Sequence, residues 1–588
     1  MFVKKSYNKG RVYLSFVQGY RENGKVKQKT IEKIGYLDEL EDLYPDPLEH
    51  FKQVAKERSL SDTPVKIEVD TSEILGLDDN LRKNLGYCGV KKIYGELEIN
   101  KFFHREQSKQ GKIEFNLNHI FCLLIFNRFL QPSSKKRAFE SKDTFFERTD
   151  FSLDDIYRAL DIFADKSEAL QQHLHMNVTK KIGRRQDLNY YDVTNFYFEI
   201  PYNDEDVHDE EGTVVKKGFR KKGPSKENRK TPIVQMGLLM DSNGLPVAFN
   251  TFPGNESEKT SLLPTVRRVK NDYDVERVIV VADRGLNTSD NTTLLAGKNL
   301  TEGQGDGYVY GQSIAGSDKA FQNWALNPNG FITSIETDEE GKEIPFKHKS
   351  RVFSKTVQLK NSQGQRTQKI DICQKQMVYY SEKYAKKQRK ERDLILEKAK
   401  DLIANPGKYR RATSYGAAAY INNIHFSDDT GEISNANDLS INLERIKAEE
   451  RLDGFYAIVT SEIELSDKEI RDIYRGLWKI EESFKTIKKE FVTRPIYHRL
   501  EDRINAHILV CFVSLLISRI LEMKLGNKYS SGKIRDSIEK YSCSRIDQNY
   551  YMFDYRDDVI VQMEKAFDLN LSKKIMSQSE IKKILEYT

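Results

Sequence analysis

β-Branched and aromatic residues punctuate the polar positions on both sides of Asn23-Gly24, in "RVYLSFVQGY" and "KVKQKTIEKIGYL". The first 45 residues therefore read as a pair of strands around a turn. Residues 46–79 are polar, contain Pro47 and Pro64, and read as a linker. From 80 to 185 the apolar period becomes helical, with "NHIFCLLIFNRFL" a buried helix closed by the basic "QPSSKKR".

At 188 the pattern changes again. "LNYYDVTNFYFEI" is aromatic and β-branched and reads as a strand; "PIVQMGLLM" and "LPVAFNTF" follow as a hairpin turning at Asp241-Ser242-Asn243-Gly244. "SLLPTVRRVKN" reads as a helix, "VERVIVVAD" as a buried strand, "SDNTTLLAGKN" as a helix and "GYVYGQSI" as a strand. Three strands, helix, strand, helix, strand is the order of an RNase H-like mixed α/β sheet with helices on both faces.

Short polar strands and one long basic helix, "YAKKQRKERDLILEKAKDLIA", occupy 313–452, which predicts a separate β-rich insertion domain. "GFYAIVTS" then returns as a core strand. Beyond it, Ile473, Leu477, Ile480, Phe484, Ile487 and Phe491 form one apolar stripe, so a single helix is expected across "YRGLWKIEESFKTIKKEF". At ~100° per residue Glu481 lies half-buried at the edge of that stripe, in a row with Tyr474 and Lys488 and close to Trp478 and Lys485. Glu482 points to solvent. Taken alone, Glu481 could simply pair with Lys485 one turn on.

Composition narrows the class. The 588 residues are 38% hydrophobic and 31% charged with a net charge of +6, a folded multi-domain chain whose local basic segments say more about partners than the total does. Cys88, Cys122, Cys373, Cys511 and Cys543 show no paired spacing, which predicts reduced thiols and no zinc site. The N-terminus lacks a signal-peptide core, and the run "ILVCFVSLLI" is too short to span a bilayer, so a soluble cytoplasmic protein with no membrane partner is expected.

Asp192 shares a strand face with Leu188, Tyr190, Thr194, Phe196 and Phe198, where a charge is costly unless paired or metal-bound. Asp283 closes the run Val278-Ile279-Val280-Val281-Ala282, at the strand end where ligands bind in open α/β sheets. Each acid alone could be a cap or a salt bridge. Together with Glu481 they make a set suited to Mg²⁺, which binds through a few carboxylates and keeps positions open for water and phosphate oxygens. Two such ions ~4 Å apart can serve an in-line phosphodiester displacement.

"YYDVTNFYFE", "VVADRGL" and "YRGLWKIEESFKTIKKEF" resemble the three catalytic motifs of DDE transposases from bacterial insertion sequences. The last resembles the Y-x2-R-x3-E-x6-K pattern of the branch whose RNase H-like domain carries a large β-rich insertion. Likeness extends through "NTFPGNESEKTSLLP", "DGFYAIVTSE" and "RPIYHRLEDRINAHILVCF". The resemblance implies that Asp192, Asp283 and Glu481 are catalytic metal ligands for two Mg²⁺, with Mn²⁺ able to substitute. It also implies that Tyr474 and Lys488 contact the transposon-end DNA. The pattern's Arg falls on Leu477, leaving Arg475 or Lys479 to supply that cation.

Further expected DNA contacts are Lys485, Arg494 and His498, with the basic segment 218–230 an even choice between DNA contact and solvated loop. The basic helix within 384–404 reads at least as well as an exposed surface helix, and Trp324 as core filling. The implied partners are double-stranded DNA, both terminal inverted repeats and target, and a second copy of the chain forming a homodimer on two ends. The implied place of action is the bacterial nucleoid. The predicted map is a strand pair (1–45), linker (46–79), helical DNA-end-binding region (80–185), catalytic domain in two parts (186–312 and 453–525), insertion (313–452) and C-terminal region (526–588). Rival readings are an RNase H-fold nuclease without strand transfer and an inactive transposase-derived DNA-binding protein.

Overall fold

The computed structural model describes residues 2–587 except 9, 23–24, 42–43, 61–71, 73, 78, 110, 112, 186–187, 225–229, 274, 276, 296–304, 338–342, 361–364, 412, 415, 428–430, 435–437 and 548. The chain divides into two units, Met1–Asp79 and Asn80–Thr588.

In the first unit three antiparallel strands, β1 (Phe2–Asn8), β2 (Arg11–Glu22) and β3 (Lys25–Tyr36), pair in the order β1-β2-β3. The expected strand pair is thus a trio. β1, "FVKKSYN", has no alternating apolar face to announce it because it is a largely exposed, lysine-bearing edge strand. The Asn23-Gly24 turn lies outside the described residues. Leu14, Phe16 and Val17 are buried in β2, and the Phe16 ring meets Phe51 edge-on at 6.1 Å. Phe51 belongs to α1 (Pro47–Leu60), so the expected linker contains a helix. Its start is well specified: the Asp46 carboxylate accepts the Glu49 N–H at 3.0 Å, and Pro47 occupies the first helical position, where its missing N–H costs nothing.

The second unit begins with five main helices: α2 (Cys88–Glu96), α3 (Ile99–Lys109), α4 (Leu117–Leu130), α5 (Leu153–Asp165) and α6 (Ser167–Lys181). Then come β4 (Leu188–Tyr197), β5 (Ile233–Asp241), β6 (Pro246–Pro253), α7 (Leu262–Asp272), β7 (Ile279–Ala282), α8 (Ser289–Leu295) and β8 (Gly307–Gln312). β4, β7 and β8 are parallel, and β5 and β6 extend the β4 side antiparallel. This is the RNase H-like mixed sheet. Alternation along its strands fills two cores: Tyr190, Phe196, Val281 and Val309 on one face, and Tyr191, Val193, Val280, Tyr308 and Tyr310 with Leu262 and Val266 of α7 on the other.

The insertion does not form the separate lobe expected of 313–452. β9 (Ile332–Thr337), β10 (Glu343–Lys360) and β11 (Arg366–Tyr380) continue the main sheet, because β11 pairs with β12 (Phe455–Thr460), which pairs with β8. Among the described residues the sheet has nine strands, ordered β9-β10-β11-β12-β8-β7-β4-β5-β6. β10 and β11 look short and polar in the sequence because much of their length is a two-stranded ribbon exposed to water. The insertion also carries α9 (Glu382–Ala404), whose Ala399 and Leu402 make a satellite core with Ala417, Tyr420 and Ile421. The Arg392 Nη1 donates to Asp453 Oδ1 at 2.8 Å, a buried pair tying α9 to the segment leading into β12.

After β12 come α10 (Asp467–Arg475), α11 (Trp478–Lys485), α12 (Glu501–Lys524) and α13 (Ser531–Lys540). α12 is long and apolar enough to cross a membrane, longer than the ten-residue run suggested, but it is mostly buried and packs against α2, α4 and α5. Arg82–Asn84 joins a small antiparallel sheet with Ser542–Asp547, Tyr550–Phe553 and Ile575–Ser577. One hydrophobic core therefore runs from Leu85 to Leu585, and the 80–185 helices are built into the same body as the nine-stranded sheet.

Candidate active site

Asp192, Asp283 and Glu481 line one open cleft of about 830 Å³. Asp192 sits in mid-β4 opposite Leu238, partly exposed, and its Oδ1 accepts the Val193 N–H at 2.7 Å. Asp283 follows β7 directly. Its carboxylate is exposed and accepts the Arg284 N–H, capping the one-turn helix Arg284–Leu286.

Glu481 lies in the first turn of α11. The single helix expected across 473–491 is in fact three pieces. α10 ends at Gly476, α11 runs to Lys485, and Thr486–Glu490 is a π-turn in which the Phe491 N–H donates to the Thr486 carbonyl at 3.1 Å. The break at Gly476 has a tertiary cause: a Cβ there would lie 1.9 Å from the Tyr190 hydroxyl, which donates to the Ile473 carbonyl at 3.1 Å. Both Glu481 and Glu482 are exposed, so the half-buried position expected for Glu481 is not found. What separates them is direction. Glu481 lines the cleft, whereas Glu482 lines a different cavity and lies 3.6 Å from Arg519.

Cations crowd the same cleft. Arg475, Lys485, Lys488 and Arg494 line it, together with Lys383 and Lys387 from α9 and Lys489 from the π-turn. Consecutive residues of an α-helix diverge by ~100°, and the widened turn lets both Lys488 and Lys489 face the cleft. Tyr474 also lines it. Its hydroxyl is packed against Gly311 of β8, where a Cβ would lie 2.4 Å away. Burial, then the Asp283 carboxylate, push the Tyr474 phenol well above its ordinary range, so it stays protonated. Tyr379, Tyr456 and Tyr384 form a stack on the insertion side, with ring centroids 5.0 Å and 4.1 Å apart; burial pushes Tyr379 up to about 12.

Two expected DNA contacts lie elsewhere. Lys479 turns away from the cleft and donates to the Ser242 carbonyl at 2.6 Å, tying α11 to the β5–β6 hairpin. Of the two cations considered for the position of Leu477, only Arg475 reaches the cleft. His498 lines a neighbouring cavity, where burial pushes its imidazole down to about 3 and leaves it neutral. In the basic segment, Arg220 is held by Asp204 and Lys221 by Asp206, while Lys226 and Arg229 lie outside the described residues. Trp324 packs in a small core with Phe321.

The donor set suits a hard divalent cation: three carboxylates, oxygen only, with Glu481 lacking any side-chain hydrogen bond or ion pair among the described residues. Among those residues no three His, Cys, Asp or Glu groups already converge closely enough to hold a metal. Lys387 belongs to the basic helix whose sequence reads at least as well as an exposed surface helix, and nothing in the sequence points to Lys383, Lys489 or the tyrosine stack. Only the β11–β12 register, which sets Tyr379 against Tyr456, brings that side of the cleft together.

Residues 2–64 match the family model for the IS1634 family transposase N-terminal domain, and residues 206–517, more than half of the chain, match the transposase DDE domain. The second match includes Asp283 and Glu481 and begins after Asp192. No curated protein matches the chain.

Proposed function

The chain belongs to the DDE transposase family, and on that premise we propose that Asp192, Asp283 and Glu481 are the acids with which it cuts and joins DNA. As a transposase of an insertion sequence it acts on DNA. In this reading it binds the terminal inverted repeats of its own element, nicks the strand there with water, and directs the freed 3′-hydroxyl onto target DNA. The three acids would hold Mg²⁺, two ions with Mn²⁺ able to substitute, which when bound supply Lewis acidity to an in-line phosphodiester displacement.

The remaining roles belong to the cleft's own side chains. Lys383, Lys387, Lys485, Lys488, Lys489, Arg475 and Arg494 neutralise backbone phosphates and hold the strand across the acids. Tyr474, kept protonated, adds no third negative charge between Asp283 and Glu481. The tyrosine stack offers a face on which a base can rest. The observation that carries the reading is the meeting, in one basic cleft, of acids from a strand, a strand end and a helix. Two ends must be paired for transposition, so a homodimer on DNA is expected, working in the cytoplasm at the nucleoid.

The test is cleavage of a duplex carrying the element's own terminal repeat, with Mg²⁺, by wild type and Glu481→Gln. Wild type should give cut and joined strands, and Glu481→Gln should bind without doing either. Cut ends that are never joined would make the protein a nuclease. Wild-type cutting by Glu481→Gln would overturn the assignment.

A further inference from the structure

Beside the cleft lies a second cavity, of about 490 Å³, where α4, the start of the helix Lys135–Glu140 and the segment 492–507 meet. Arg128, Lys135, Arg494, Arg499 and Arg503 line it, and among the described residues no aspartate or glutamate does. Two of these cations are deeply buried: Arg128 and Lys135 are each 3% exposed. Arg128 spends Nη1 on the Phe491 carbonyl at 3.0 Å, and its Nε has no partner among the described residues. Lys135 Nζ donates to His507 Nδ1 at 3.4 Å and has no carboxylate partner among the described residues. His507 passes its other ring nitrogen to the Thr493 carbonyl at 3.1 Å and is held neutral by burial, so it accepts from Lys135 without answering its charge. Arg503 has its counter-ion in Asp161, outside the cavity, at 3.1 Å, so it is the two buried cations, Arg128 and Lys135, that call for an anion.

Burying cations without counter-charge is expensive, and a fold keeps such an arrangement where an anion completes it. We propose that this cavity seats a phosphate group of the DNA strand that runs out of the active cleft past Arg494, which lines both. The inference rests on the reading of the cleft as the DNA-cutting site. Guanidinium and ammonium groups are the natural donors to a phosphate, and Ser134 at the rim, whose oxygen accepts the Arg137 N–H, keeps its hydroxyl proton to donate. Burial and the neighbouring Arg128 push the Lys135 ammonium down to about 7, and a seated phosphate would return it to full charge.

The first experiment uses inorganic phosphate and the full-length protein without DNA. At constant ionic strength phosphate should raise the melting temperature of wild type, and Lys135→Met should lose that rise. Lys135→Met removes a buried charge and should fold at least as well as wild type. Arg499→Gln, exposed at the rim, provides a second variant with a reduced rise. Lys485→Gln, in the cleft, should keep it. No rise in wild type, or an equal rise in Lys135→Met, overturns the proposal.

The second experiment uses terminal-repeat duplexes with a single methylphosphonate scanned along each strand, and duplexes with 5′-phosphate or 5′-hydroxyl ends. One neutralised position, or the missing 5′-phosphate, should weaken wild-type binding about tenfold, and Lys135→Met should be insensitive at that same position. A methylphosphonate effect identifies a backbone phosphate, and a 5′-end effect a terminal one. Equal sensitivity of both proteins at every position overturns the proposal. Because the phosphate-induced melting shift needs no catalysis, it can succeed where the cutting reading fails, and the reverse.

Discussion

Glu481 and Glu482 are neighbours in the chain and open into different cavities: Glu481 into the cleft shared with Asp192 and Asp283, Glu482 toward Arg519 at 3.6 Å. Glutamine in place of Glu481 keeps size and helix propensity and removes one cation-holding charge. Strand cutting and joining should fall by at least ~10²–10³-fold, with terminal-repeat binding nearly unchanged in a gel-shift assay. Glu482→Gln loses only an exposed ion pair, worth ~0–1 kcal/mol, and should keep most activity. The opposite pattern would mean that the helix presents its other face to the DNA.

Gly476→Ala places a methyl group 1.9 Å from the Tyr190 hydroxyl. Relief requires moving β4 against the α10–α11 junction, and with it Asp192 against Glu481. The substitution should cost ~1–3 kcal/mol of stability, as overpacking does, and reduce cutting more than DNA binding. A melting curve and a cleavage rate on the same preparation check this; unchanged values for both would show that the junction yields without strain.

Lys387→Gln and Lys485→Gln should each weaken binding about equally for terminal-repeat and unrelated duplexes. Each should reduce the slope of log K against log salt by ~1, the mark of a lost phosphate contact. A salt titration by fluorescence anisotropy measures it. A change confined to the terminal repeat would instead assign the lysine to base readout.

Burial holds His175 and His498 down to about 3, against an ordinary value near ~6.5. Between those values the unfolded chain binds protons that the folded chain refuses, so stability falls as pH drops through that window. Each group contributes up to ~1.4 kcal/mol per pH unit there. Melting temperatures from pH 7 to 4 should show the decline. His175→Phe, which keeps a ring against Tyr273, should make it shallower.

Where a residue's burial follows from its own strand or helix, the sequence announces it. The alternation of Tyr190 and Phe196 against Tyr191 and Val193 is visible in "LNYYDVTNFYFEI", and so is the apolar run that ends at Asp283. Tertiary causes are silent. Nothing in "YRGLWKIEE" says that the Tyr190 ring will press on Gly476, or that Lys479 will reach the Ser242 carbonyl. Pro47 reads as a linker residue in a polar segment, whereas in the fold Asp46 caps the helix that Pro47 begins. The long ribbon of β10 and β11 hid because water on much of its surface removes the apolar alternation by which strands are recognised.

That ribbon has a consequence for anyone who would trim the protein to a minimal nuclease. Excising 313–452 as a dispensable loop would remove the partner that hydrogen-bonds β12 along Phe455–Thr460. A strand rich in apolar residues would then stand at the edge of the sheet with its amides and carbonyls unmatched, a template for strand addition from other copies. The shortened protein should aggregate instead of yielding a smaller enzyme.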